Sequence, residues 1–144
     1  MILYCDTSAL IKRYVEEEGT EFVDYLWDTA SAIVTSIVAF AETISVFSRK
    51  FREGLLTHKE YAKTVKNFKV DYEELVLVSI TKDLNTLIEN LLARYPLRGF
   101  DAIHLASATI FTRPEVEDVL FACFDHNLNQ AASKEGLKAV FYSE

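Results

Sequence analysis

The chain has 144 residues, 15 Lys plus Arg against 22 Asp plus Glu, and a formal charge of −7. Half of it is hydrophobic, with only 4 Gly and 2 Pro, which excludes disordered, collagen-like and low-complexity classes. Its 2 cysteines are too few for a disulfide framework and suit a reducing compartment.

The length fits one domain, over residues 1–144, large enough for its own core. Ile2 to Cys5 is a short apolar strand, and Asp6 follows at once. With no basic region ahead of it, this start is unlike a signal peptide. Ser8 to Glu17 reads as a helix with Leu10, Ile11, Tyr14 and Val15 on one face, stopped near Gly19. Thr20 is a candidate N-cap for the next helix, which turns Phe22, Val23, Leu26 and Trp27 inward. Ala32 to Thr35 is a second strand. Ile37, Phe40, Ala41, Ile44, Phe47 and Phe51 then give a long helix ending at Gly54.

Thr57 opens another helix, with Tyr61, Val65, Phe68 and Tyr72 inward and Lys59, Lys63 and Lys66 facing solvent. Leu75 to Ile80 is the third strand. Thr81 caps a helix bearing Leu84, Leu87, Ile88, Leu91 and Leu92. Phe100 to Phe111 is helical, Val119 to Phe124 the fourth strand, Asn127 to Lys134 a short helix, and Ala139 to Tyr142 the fifth strand. Strands alternating with helices imply an α/β fold with parallel strands joined by crossovers. Covered on both faces, such strands become continuous apolar runs. The Thr29–Ser48 stretch is interrupted by Glu42 and rich in small polar residues, so it suits a buried strand and helix better than a bilayer span. The expectation is a cytoplasmic protein with no membrane partner.

Four acids stand in apolar surroundings. Asp6 ends the first strand and Asp125 the fourth. Glu42 is the only charge between Asp28 and Arg49, and Asp101 the only one between Arg98 and Arg113. Carboxylates near a core must be paired, hydrogen-bonded or metal-bound. In an open parallel sheet the ligand crevice lies beyond the carboxyl ends of the strands, where Asp6 and Asp125 sit. Each acid also has a structural reading. Asp6 and Asp125 are good helix caps, Asp101 suits a helix N-terminus, and Glu42, about two turns into its helix, could pair with Arg49 or another cation. Oxygen ligands without thiolate or imidazole clusters select Mg²⁺ or Mn²⁺. Such ions also reconcile an acidic site with an anionic substrate.

Asp6-Thr-Ser-Ala-Leu10, Glu42, Phe100-Asp-Ala-Ile-His-Leu-Ala106 and Phe124-Asp125, followed by Ala131-Ala132 and Gly136-Leu137, together resemble the PIN-domain ribonucleases, most of all the VapC-type toxins of toxin–antitoxin pairs. The resemblance runs the length of the chain. It implies a three-layer α/β/α domain with a central parallel five-stranded sheet, and Mg²⁺- or Mn²⁺-dependent endonucleolytic cleavage of RNA to 3′-hydroxyl and 5′-phosphate ends. It further implies a homodimer and a cognate antitoxin. Asp6 and Asp101 would be the principal metal ligands, Glu42 and Asp125 would complete the cluster, and Ser8 would hydrogen-bond a carboxylate or water. Cys123 stands where many relatives carry a hydroxyl residue, which puts one secondary contact in doubt.

His104, three residues after Asp101, reads as a packed, hydrogen-bonded histidine rather than a ligand. Cys5 and Cys123 read as small buried residues. Lys12, Arg13, Arg49, Lys50 and Arg52 are placed where an RNA backbone could be steered, although solvated helix faces explain each as well. The Phe and Tyr residues lie at core spacing, which gives no ground for base stacking. A non-catalytic PIN-like module binding RNA or protein is the alternative function. A haloacid-dehalogenase-like phosphotransferase would need an acid where Ser8 stands, and a phosphoaspartate receiver lacks its acid pair.

Overall fold

The computed structural model describes residues 1–142, which form five strands and seven helices. β1 (Ile2–Cys5) leads into α1 (Thr7–Tyr14) and α2 (Thr20–Thr29), then β2 (Ala32–Ser36). α3 (Ala39–Arg52) and α4 (His58–Tyr72) precede β3 (Val76–Val78). α5 (Lys82–Arg94) and α6 (Gly99–Phe111) precede β4 (Val119–Ala122), followed by α7 (His126–Lys134) and β5 (Lys138–Val140).

Every pairing is parallel and the strand order is β3-β2-β1-β4-β5. The chain winds outward from β1 to one edge, then returns to β1's other side with β4. This makes the β1/β4 boundary the switch point where a crevice opens in such sheets.

Alternate residues of β1 serve opposite faces, as the period of two requires. Ile2 and Tyr4 pack with Leu84 and Leu91 of α5, Leu105 of α6 and Leu128 of α7. Leu3 and Cys5 pack with Ala9 and Leu10 of α1, Leu26 of α2 and Ala39 of α3. The result is the three-layer α/β/α architecture with a five-stranded parallel sheet. A third cluster, centred on Phe47 and Phe68, joins α3 to α4 away from the sheet.

Several boundaries differ from expectation. α1 ends at Tyr14 rather than Glu17, with Val15 already extended. Glu16, Glu17 and Glu18 would set three negative charges against the negative end of the helix dipole. Thr20 does not cap α2: its hydroxyl donates back to Lys12 O at 2.9 Å, and Gly19, at φ 93°, takes the cap position. β3 and β5 are shorter than expected, as edges paired on one side only, while β4 stops at Ala122 and β2 runs one residue further, to Ser36. α3 begins at Ala39, since Ile37 N–H still donates to Val78 O at 2.9 Å beside the end of β2. Glu42 therefore sits in the first turn of α3, not two turns into it.

Candidate active site

Asp6, Glu42, Asp101 and Asp125 all line one cleft of about 650 Å³, together with Ser8. Each arrives by a local rule. Asp6 follows β1 and caps α1, its Oδ1 accepting from Ala9 N–H at 3.0 Å and from the Ser8 hydroxyl at 2.7 Å. Asp125 follows β4 and caps α7 through Leu128 N–H at 2.8 Å. The capping readings of these two acids thus hold alongside their position in the cleft. Asp101 lies in the first turn of α6, where negative charge is favoured, with long 3.4 Å contacts from Arg98 N and Nε to its Oδ2.

Ser8 ties the two strand ends together. Its hydroxyl donates to Asp6 and accepts from Phe124 N–H at 2.9 Å. Cys123 replaces the expected hydroxyl contact with a sulfur one: Sγ accepts from Asp125 N–H at 3.3 Å and donates to Asp125 O at 3.3 Å. Asn129 holds the same turn by donating to Cys123 O at 2.8 Å.

Glu42 pairs with His104, not with Arg49. His104 Nε2–H donates to Glu42 Oε1 at 2.8 Å, and the Thr7 hydroxyl donates to the same oxygen at 2.7 Å. Because a carboxylate can only accept, Nε2 carries the proton and Nδ1 accepts from the Tyr4 hydroxyl at 2.9 Å. Tyr4, at the centre of the sheet, thereby fixes His104, which is 2% exposed, and His104 fixes Glu42. The packed, hydrogen-bonded reading of His104 holds. Thr7 and Tyr4 are contributors that sequence reasoning missed; Thr7 was visible only as the middle of Asp6-Thr-Ser8.

The electrostatics separate the acids. Asp6 is 4% exposed, and burial pushes its carboxyl up to about 6. The neighbouring Asp101 charge adds to that rise, while His104, Ser8 and Ala9 oppose it. Burial also pushes Glu42 upward, but the His104 and Thr7 hydrogen bonds, with the Arg98 charge, hold it below the usual range. Burial raises both thiols, Cys5 and Cys123, so neither is a ready thiolate, and the described residues contain no disulfide between them.

The donor set fits a hard cation. The named hydrogen bonds leave Oδ2 of Asp6 and Oε2 of Glu42 without a partner inside the described chain, and Asp6 carries a buried charge that a cation would offset. Among the described residues, no three His, Cys, Asp or Glu side chains form a preassembled metal cluster.

The basic residues divide. Arg49 and Arg98 line the cleft. Lys12 pairs with Glu17 and Arg13 with Asp24, each at 2.9 Å, and neither lines it. Lys50 and Arg52 also lie outside the lining, and Lys59, Lys63 and Lys66 are exposed on α4. No helix among the described residues is long and apolar enough to cross a membrane.

The chain is 28% identical over 139 residues to Ribonuclease VapC45 of Mycobacterium tuberculosis, covering 96% of this chain and 94% of that relative. Among solved structures, the Mycobacterium tuberculosis toxin VapC20, described as cleaving the sarcin-ricin loop, aligns with a TM-score of 0.67 at 16% identity over 90% of this chain and 94% of that one. A toxin–antitoxin complex from Klebsiella pneumoniae aligns with a TM-score of 0.59 at 16% identity, covering 83% and 84%. The sequence profile described as PIN domain matches residues 3–134, from β1 to the end of α7, and the chain belongs to that family.

Proposed function

We propose that this protein is a Mg²⁺- or Mn²⁺-dependent endoribonuclease, the toxin of a toxin–antitoxin pair. The observation that carries the reading is the meeting of Asp6, Glu42, Asp101 and Asp125 in one cleft at the switch point of a parallel sheet. The relative named as a ribonuclease covers nearly the whole chain and supports the activity. The aligned toxin–antitoxin complex supports a cognate antitoxin as partner. A homodimer is proposed on the family resemblance.

In this reading Asp6 and Asp101 hold the ion, with Glu42 and Asp125 acting directly or through water. The ion supplies Lewis-acid charge neutralisation at the phosphate and a lowered water pKa. The protein supplies orientation. Ser8 locks Asp6 to the β4 turn, and Thr7 with His104 fixes one Glu42 oxygen while leaving the other toward the cleft. Buried Ile11 and half-buried Val46 supply an apolar part of the cleft wall.

Incubating the purified protein with cellular RNA and sequencing the new ends tests this. Mg²⁺ should give fragments that disappear with EDTA and with Asp101→Asn. Undiminished cleavage under either condition would refute the metal site. The lack of a preassembled three-ligand cluster favours one second reading, a PIN-like module that binds RNA without cutting it. That module would retain RNA and give no metal-dependent ends.

A further inference from the structure

The cleft has a rim that the carboxylate chemistry does not use. Phe100 stands there, 55% exposed, immediately before Asp101 on α6. It joins none of the three hydrophobic clusters, and no ring contact among the described residues involves it. More than half of its side chain is therefore open to solvent. Other exposed apolar side chains exist, such as Leu55 and Val70, but they do not line the cleft. The backbone beside the ring is open as well: a Cβ placed on Gly99 would meet nothing within 4 Å.

Two guanidinium groups share the cleft with this ring. Arg98 is two residues earlier, and its side chain touches Asp101 through a long 3.4 Å contact from Nε, which leaves its terminal amines for a ligand. Arg49 lies across the cleft on α3. Glu42, Ser45, Val46 and Arg49 occupy positions i, i+3, i+4 and i+7 of that helix, so one face carries both the acid and the arginine. At about 1.5 Å per residue, Arg49 stands roughly 10 Å along the axis from Glu42, away from the acids and on the same face. Arg49 makes no ion pair within the described chain.

A flat apolar ring sharing a cleft with two forked cations matches one chemistry well. An unstacked nucleobase offers a π-face to the ring, and its flanking phosphates accept from the guanidinium groups. We propose that Phe100, with Arg98 and Arg49, forms a stacking subsite for one unstacked base of a single-stranded segment of the substrate. This rests on the ribonuclease reading, and it adds a contact for which aromatic spacing in the sequence gave no ground. The ring sorts substrates by whether a base can leave its stack, not by base identity.

The test uses the full chain carrying Asp6→Asn to prevent cleavage. Its probe is a fluorescein-labelled single-stranded RNA of roughly 12 nucleotides, read by anisotropy at fixed salt. Phe100→Ala in that background should weaken binding about 5- to 150-fold, the range for losing one base–aromatic stack. Phe100→Trp should restore it, and Val70→Ala should change nothing. Abasic substitution scanned along the probe should find one position where the Phe100→Ala effect vanishes. Cleavage by the unsubstituted protein with Mg²⁺ runs in parallel. If RNA is cut but Phe100→Ala binds as before, the subsite is refuted and the exposed ring belongs to a protein contact instead. If RNA is cut and every abasic position leaves the Phe100→Ala effect intact, stacking is also refuted. If RNA is neither bound nor cut, the ribonuclease reading fails and takes the subsite with it.

Discussion

Asp6→Asn should make the metal-free protein more stable. Asp6 is buried, and its carboxyl is pushed up to about 6 from an ordinary value of 3.8. The folded state then holds a proton more tightly than the unfolded state, so ionising Asp6 opposes folding. The penalty is absent below the unfolded value, grows between about 4 and 6, and is complete above that range. At about 1.36 kcal/mol per pH unit, the difference approaches 3 kcal/mol at pH 7. Asparagine keeps the cap, because its Oδ1 can still accept from Ala9 N–H and the Ser8 hydroxyl. An unfolding entropy of about 2.1 cal/mol/K per residue over 144 residues is roughly 0.3 kcal/mol/K, so Tm should rise by about 10 °C. Thermal melts in EDTA from pH 4 to 7.5 read the effect. The gain should shrink toward zero at pH 4, and Mg²⁺ should stabilise the original chain while leaving the variant unchanged. A variant that melts at or below the original at pH 7, or a gain that does not shrink on acidification, would refute the account of Asp6.

Three further outcomes follow from the same contacts. His104→Ala should cost about 2–4 kcal/mol in chemical denaturation, because it opens a hole in the core and leaves the Tyr4 hydroxyl and a Glu42 oxygen short of a partner. His104→Gln should recover part of both stability and cleavage, and equal loss in the two variants would count against a hydrogen-bonding role. Gly19→Ala should lower stability by about 1–3 kcal/mol, since φ is +93° and the new Cβ would lie 2.6 Å from Phe124 Cε1; an unchanged denaturation midpoint would contradict the geometry. RNA binding should depend weakly on salt, with a log–log slope near −1.4 if only Arg49 and Arg98 meet phosphates on a single strand. A slope several times steeper would reveal a basic surface beyond the cleft.

The layering was readable because it depends on local rules. Apolar runs between amphipathic segments require parallel strands with covered faces, and acids at two strand ends fall at the crevice by topology alone. What stayed hidden depends on contacts distant in sequence. Tyr4 and His104 are 100 residues apart, and no period relates a strand's central tyrosine to a helix histidine. Glu42 was placed too deep in its helix because Ile37 continues the helical pattern, whereas its amide is held beside the sheet by Val78. Phe100 shows the same limit from the other side. Periodicity marks an apolar position but not whether anything covers it.

The charge of −7 misdescribes the field a substrate would meet. Lys12 and Arg13 directly follow the first acidic motif, yet each is held by an acid at 2.9 Å and packed over an aromatic ring, Lys12 on Phe124 and Arg13 on Trp27. Their charges are largely cancelled locally and serve the α1–α2 junction. Arg49 and Arg98 stand on the cleft itself, free or only loosely tied. The cleft therefore has an acidic floor, suited to a cation, beneath a rim with two guanidinium groups, suited to phosphate. A site of that kind draws its affinity for an anionic strand from a few local contacts and the ion, not from net charge. A net negative charge is then no obstacle to the proposed action on RNA, and selection among RNAs would rest with the few side chains around the rim.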